Sequence, residues 1–140
     1  MANRNFVLLS TLVVFVLFLQ REVDAHFRIR NWLTDENVSV RVTKGYVSLN
    51  NENPQNITES SEPLIVKPDS EIFLVRDPEI ELAIKVSRVT LDGKTENPVL
   101  TYECKDGEKC EKVILDEKYN QDTIQPHFYP PIYIESIEKN

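Results

Sequence analysis

Polar and apolar side chains alternate with a period of two along most of the chain beyond its first two dozen residues. Phe27 and Ile29 alternate with Arg28 and Arg30, and Val38, Val40 and Val42 alternate with Ser39 and Arg41. The longest run sets Ile80, Leu82, Ile84 and Val86 against Glu79, Glu81, Lys85 and Ser87, with Val89 and Leu91 leading on to Asp92-Gly93. Successive side chains of a strand point to opposite faces, so this pattern marks strands with one wet and one buried face. Shorter apolar runs at Tyr46–Leu49, Leu64–Val66, Ile72–Val75, Val99–Tyr102, Val113–Leu115 and Ile132–Ile134 read as further strands. Eight prolines fall mostly between the runs, where they end strands and break helices. The polar stretch from Asn50 to Glu62 reads as an exposed loop. About eight short strands with regular turn signals predict an all-β fold, a small antiparallel β-sandwich. An immunoglobulin-like sandwich suits the length better than a closed barrel, although the Cys…Trp…Cys spacing of a true immunoglobulin domain is absent.

The first residues follow a different rule. Phe6–Leu19 is apolar throughout except for Ser10 and Thr11, and Arg4 precedes it. Gln20, Arg21 and Glu22 follow, and then Val23-Asp24-Ala25. A charged start, an apolar middle and a small-residue exit are the parts of a secretory signal. The run falls short of the roughly 20 apolar residues that span a bilayer. Residues 1–25 are therefore read as a cleaved signal peptide, and 26–140 as a single exported domain without stable membrane insertion.

Composition sharpens this picture. The 140 residues carry a net charge of −7, and the leader removes none of it because Arg4 and Arg21 balance Glu22 and Asp24. An acidic domain repels phosphate backbones, which argues against nucleic acid as a partner. The two cysteines, Cys104 and Cys110, flank the turn dipeptide Asp106-Gly107 between strand-like residues. In an oxidising compartment this spacing predicts a disulfide that pins a hairpin tip, worth roughly 2–2.5 kcal/mol for so short a loop. Two sequons, Asn37-Val38-Ser39 and Asn56-Ile57-Thr58, are glycosylation acceptors in a secreted chain. Asn56 is the better placed of the two.

Three groups of residues carry candidate chemistry. Cleavage after Ala25 would make His26 the mature N-terminus, whose α-amine and imidazole suit Cu(II). With His127 this ligand set resembles the histidine brace of lytic polysaccharide monooxygenases and related copper-binding proteins. The resemblance covers those two residues and implies a small copper protein as the alternative function. Next, Gln125-Pro126-His127-Phe128-Tyr129-Pro130-Pro131 reads as an extended segment lying along a sheet edge. Finally, Arg28, Arg30 and Trp32 share one strand face opposite Phe27 and Ile29. Such a basic–aromatic row suits a carboxylate, a sulfate or a sugar.

Enzyme signatures are missing from the sequence. No serine lies in a nucleophile elbow, no acidic run has calcium-loop spacing, and three glycines make no phosphate-cradling loop. The expectation is a secreted, non-enzymatic binding protein without a resident cofactor. Its partner would be an extracellular protein, a glycan or a small ligand.

Overall fold

The computed structural model describes residues 25–50, 55–105, 107, 109–120 and 130–137. The leader, with its apolar run, lies outside the described residues. Ten strands occur among them: β1 (Ala25–Asn31), β2 (Glu36–Lys44), β3 (Tyr46–Leu49), β4 (Gln55–Thr58), β5 (Leu64–Val66), β6 (Ser70–Arg76), β7 (Leu82–Thr90), β8 (Glu96–Cys104), β9 (Cys110–Ile114) and β10 (Ile132–Ile137). They form two five-stranded antiparallel sheets. The first has the order β10-β1-β6-β3-β4 and the second β5-β2-β7-β8-β9. Among the described residues no helix is long and apolar enough to cross a membrane.

The alternation explains the layers. Phe27, Ile29, Val47, Ile57, Leu74 and Ile134 of the first sheet are buried in one cluster with Val38, Val40, Val42, Leu82, Ile84, Val86 and Leu100 of the second. Each fully buried aliphatic side chain of this kind contributes roughly 1.5–3 kcal/mol. One core shared by two sheets is a sandwich-like arrangement. Phe27 and Tyr102 meet across it with ring centroids 5.4 Å apart, and the Tyr102 hydroxyl lies 3.3 Å from Ser136 Oγ on β10.

The chain changes sheet repeatedly, and two residues make the crossings possible. Asn31, wholly buried, donates through Nδ2 to the carbonyls of Glu36 and Val66, both at 3.0 Å, and accepts from Leu33 N. It thus satisfies the backbone where β1 hands over to β2 beside β5. Gly45 alone joins β2 to β3, with φ +76°. A Cβ there would collide with the Glu81 carbonyl oxygen, so the turn requires glycine.

The structure departs from the expected strand list in three places. The stretch 50–62, expected as a loop, contains β4. A single inward residue, Ile57, buries against the core while the flanking polar side chains stay outside. One apolar position is too little for a period-two signal to register. Ile80, expected at the head of the longest run, lies in the β6–β7 turn, and Leu91 is exposed in the β7–β8 turn. Among the described residues there are therefore ten strands, not about eight.

Candidate functional site

On β1 the inward residues Phe27, Ile29 and Asn31 leave Arg28 and Arg30 on the outer face of the first sheet. The register decides their neighbours. Arg28 lies between Phe73 of β6 and Glu135 of β10, and Arg30 between Glu71 of β6 and Tyr133 of β10. Trp32 lies just past the strand, where its backbone N–H donates to the Pro131 carbonyl at 2.7 Å. That bond ties the start of β10 to the end of β1. The Trp32 and Tyr133 rings meet edge to face at 5.4 Å.

The basic–aromatic row is thus present, and it is not a bare cationic patch. Arg28 donates through Nε and Nη2 to Glu135 Oε2 at 3.1 and 2.8 Å, and its Nη1 lies 3.5 Å from Glu71. Arg30 donates to Glu71 at 3.0 Å and lies 3.8 Å from Asp69. The Arg30 guanidinium is stacked 4.8 Å from the Trp32 ring centre, and Arg28 lies 5.8 Å from that of Tyr133. The bond to Glu135 raises the Arg28 guanidinium above its ordinary range, against a smaller opposing effect of burial. Arg28, Arg30, Trp32, Tyr133 and Glu135 line a shallow depression of about 290 Å³. Planar donors, carboxylate acceptors and aromatic edges held in a fixed geometry are the parts of a polar recognition surface.

The other expected sites are dispersed. Cys104 and Cys110 face each other at the closed end of β8–β9 with their sulfurs 2.06 Å apart. Asn56 is exposed on the edge strand β4, and its Oδ1 accepts from Ser48 Oγ at 2.8 Å. Asn37 is half-buried on β2 opposite Val89. His26 is half-buried on β1 between Val75 and Ile137, at the opposite end of the β1–β10 pair from Pro131. His127, the second half of the copper reading, lies outside the described residues, as do Gln125–Tyr129. Among the described residues no three His, Cys, Asp or Glu side chains group as a metal site.

Two clusters went unread in the sequence. Arg76, 1% exposed, donates to the carbonyls of Gly107 (2.8 Å), Ile80 (3.0 Å), Lys105 (3.2 Å) and Pro78 (3.4 Å), with Cys110 Sγ at 3.7 Å. One guanidinium thereby joins the disulfide loop to the β6–β7 turn. Counting by two from Ile72 and Leu74 places Arg76 inward, and that was the available signal. The same count from Leu82 places Arg88 inward, where it bonds Glu36 at 3.0 Å and lies 5.7 Å from the Tyr119 ring. Burial opposes the charge on Arg88, yet Glu36 and its neighbours outweigh burial and raise its pKa. For the Tyr119 hydroxyl burial acts in the other direction and raises the pKa.

A second depression of about 320 Å³ opens between the edges β9 and β10. Leu100, Ile114, Ile132 and Ile134 form its apolar side, and Lys112, Tyr119, Asn120 and Tyr133 line it as well, so a flank of the core meets polar groups there. Comparison with protein-family models, with curated proteins and with solved structures finds no match.

Proposed function

We propose that the chain is exported and acts as a non-enzymatic extracellular binding protein with an immunoglobulin-like sandwich, its outer first-sheet face being the contact surface. The observation that carries this reading is the anchored cluster of Arg28, Arg30, Trp32, Tyr133, Glu71 and Glu135. Sequence-remote side chains meet there with their charges compensated and their rings fixed, so little order remains to be imposed when a partner arrives. The signal-like leader supplies the compartment, and the acidic balance disfavours nucleic acid as the partner.

The test uses the full chain expressed in a secretory host. The mature protein is recovered from the medium, its N-terminus is read by mass spectrometry, and it is titrated against extracellular glycans and peptides. Trp32→Ala is run in parallel, with thermal unfolding as the check on folding. Export, a start at His26 and saturable binding weakened about tenfold or more by Trp32→Ala are expected. Retention in the cytosol, or saturable binding indifferent to Trp32, overturns the reading.

A further inference from the structure

We infer that the outer face of the second sheet pairs with the same face of a second copy of this chain, through two like-charged pairs of opposite sign. The register carries the inference. On β2 and β7 the buried Val40, Val42, Ile84 and Val86 turn Arg41 and Lys85 outward, and these two are direct cross-strand partners. On β8 and β9, Glu103 and Glu111 are direct partners in the same way. Ala83 stands opposite Glu103, and Thr101 stands between Lys85 and Val113, so the two charged pairs occupy neighbouring rows of one face.

Like charges directly opposite each other in a sheet oppose folding, whereas opposite charges support it. A lone copy gains nothing from this order. Among the described residues none of the four forms an ion pair, while Arg28, Arg30, Lys44 and Arg88 all do. Lys85 and Glu103 lie on a diagonal and still do not meet. Lys105 and Lys109, the cations that follow the carboxylates, lie past the ends of β8 and β9 at the hairpin tip.

A second copy relieves both repulsions at once. A two-fold axis lying in the contact plane, midway between the pairs, sets Arg41 and Lys85 of each copy on Glu103 and Glu111 of the other. A partner of one sign fits less well. An acidic segment that meets Arg41 and Lys85 also meets Glu103 and Glu111, and a basic segment meets the reverse. Ala83 and Thr101 are small, so the faces can approach between the charges. Val113 of this face and Leu115 just past β9 are 45% and 51% exposed and add apolar area at its border.

The size of the face fits a weak association. Its five strands, about 4.8 Å apart and about seven residues long, present roughly 500 Å². Two copies then bury on the order of 1,000 Å², near the lower limit of a specific interface. The net charge of −7 on each copy opposes the approach and weakens it further. The outer face of the first sheet points away from this contact, so the inference stands apart from what that face binds.

The experiment uses the exported protein after enzymatic deglycosylation, because Asn37 shares this face of β2 with Arg41. Sedimentation equilibrium at low salt should show monomer and dimer with a Kd on the order of 100 μM. Arg41→Glu with Lys85→Glu should weaken association about tenfold or more, and so should Glu103→Lys with Glu111→Lys. An equal mixture of these two variants should recover a heterodimer to within about threefold of the original affinity, since every contact is again between opposite charges. Arg41→Gln with Lys85→Gln removes the repulsion within each copy, and should weaken association while leaving Tm unchanged or higher. Thermal unfolding confirms that each variant is folded. A monomer at every concentration, a dimer that neither reversal disturbs, or two monomeric reversals that fail to pair when mixed overturns the inference. Tighter association of the Glu103→Lys, Glu111→Lys variant also overturns it, because a general charge effect would act that way on a less acidic chain.

Discussion

Arginine serves two opposite purposes in this molecule. Arg28 and Arg30 lie on the outer face of the first sheet, 31% and 26% exposed, leaning on carboxylates and rings. Arg76 is enclosed and spreads its donors over the carbonyls of two separate loops. The outer pair is solvated, so its ion pairs contribute little to folding and its geometry is available for recognition. The enclosed guanidinium has lost its water, and its bonds to carbonyls are what make burial tolerable. The contrast teaches that burial, and not residue type, decides whether a basic side chain organises the fold or presents a surface.

That contrast is broken most directly at Arg76. Arg76→Met removes the buried donors that four loop carbonyls accept from and should destabilise the protein by about 3 kcal/mol, on the order of 10 °C in Tm. Arg76→Lys keeps the charge but lacks the fork, and should lose nearly as much. Thermal unfolding checks both, and a loss below about 1 kcal/mol would show that the loops hold themselves together.

Reduction of the Cys104–Cys110 bridge, or the double change to serine, probes the same hub from its other side. The chain-entropy model gives about 2.4 kcal/mol for this short loop. Arg76 takes Gly107 and Lys105 from the same loop as partners. The effects of bridge and guanidinium should therefore overlap, so that the combined variant loses less than the two separate losses together. Strict additivity in denaturant titration would uncouple them.

At the outer face the expected cost is much smaller. Arg28→Ala should change stability by no more than about 1 kcal/mol, with the difference shrinking further at high salt. A loss as large as that of Arg76→Met would mean that Arg28 is a structural residue.

The smallest effect concerns the Lys44–Glu81 pair beside Gly45. The hydrogen bond from Lys44 holds the Glu81 carboxyl below its ordinary range and raises the Lys44 ammonium. A carboxylate with a depressed folded value stabilises above its unfolded pKa, about 4.3, and that contribution fades as pH falls through the lowered native value. For the raised ammonium the contribution is complete below its unfolded value and fades as pH rises through the folded one. NMR titration of Glu81 should show a midpoint that returns to the ordinary range in Lys44→Ala.

Much of the fold was legible from local pattern. Val38, Val40 and Val42, and Leu82, Ile84 and Val86, declare their inner face by spacing alone, and all are buried. Arg28 and Arg30 declare the outer face by the same rule. β4 was illegible because Ile57 is its one buried apolar residue. Ile80 misled because a turn residue happened to continue the period. Of the outer-face cluster, the alternation showed the arginines but not their acceptors. Glu71 and Glu135 are unremarkable among 23 acidic residues until the sheet order sets β6 and β10 on either side of β1.

The amino-acid order by itself determined the apolar face of the strands that alternate clearly, such as β2 and β7, and set two cysteines six positions apart. These follow from contacts between near neighbours, because side-chain direction in a strand repeats every two residues. The tertiary structure alone decided that Arg30 would meet Glu71, 41 residues away, and that Arg28 would meet Glu135, 107 residues away. It alone turned Arg76 into the tie between two loops. Strand order and register are set by burying one shared core, and no local spacing encodes which distant strand will supply the partner.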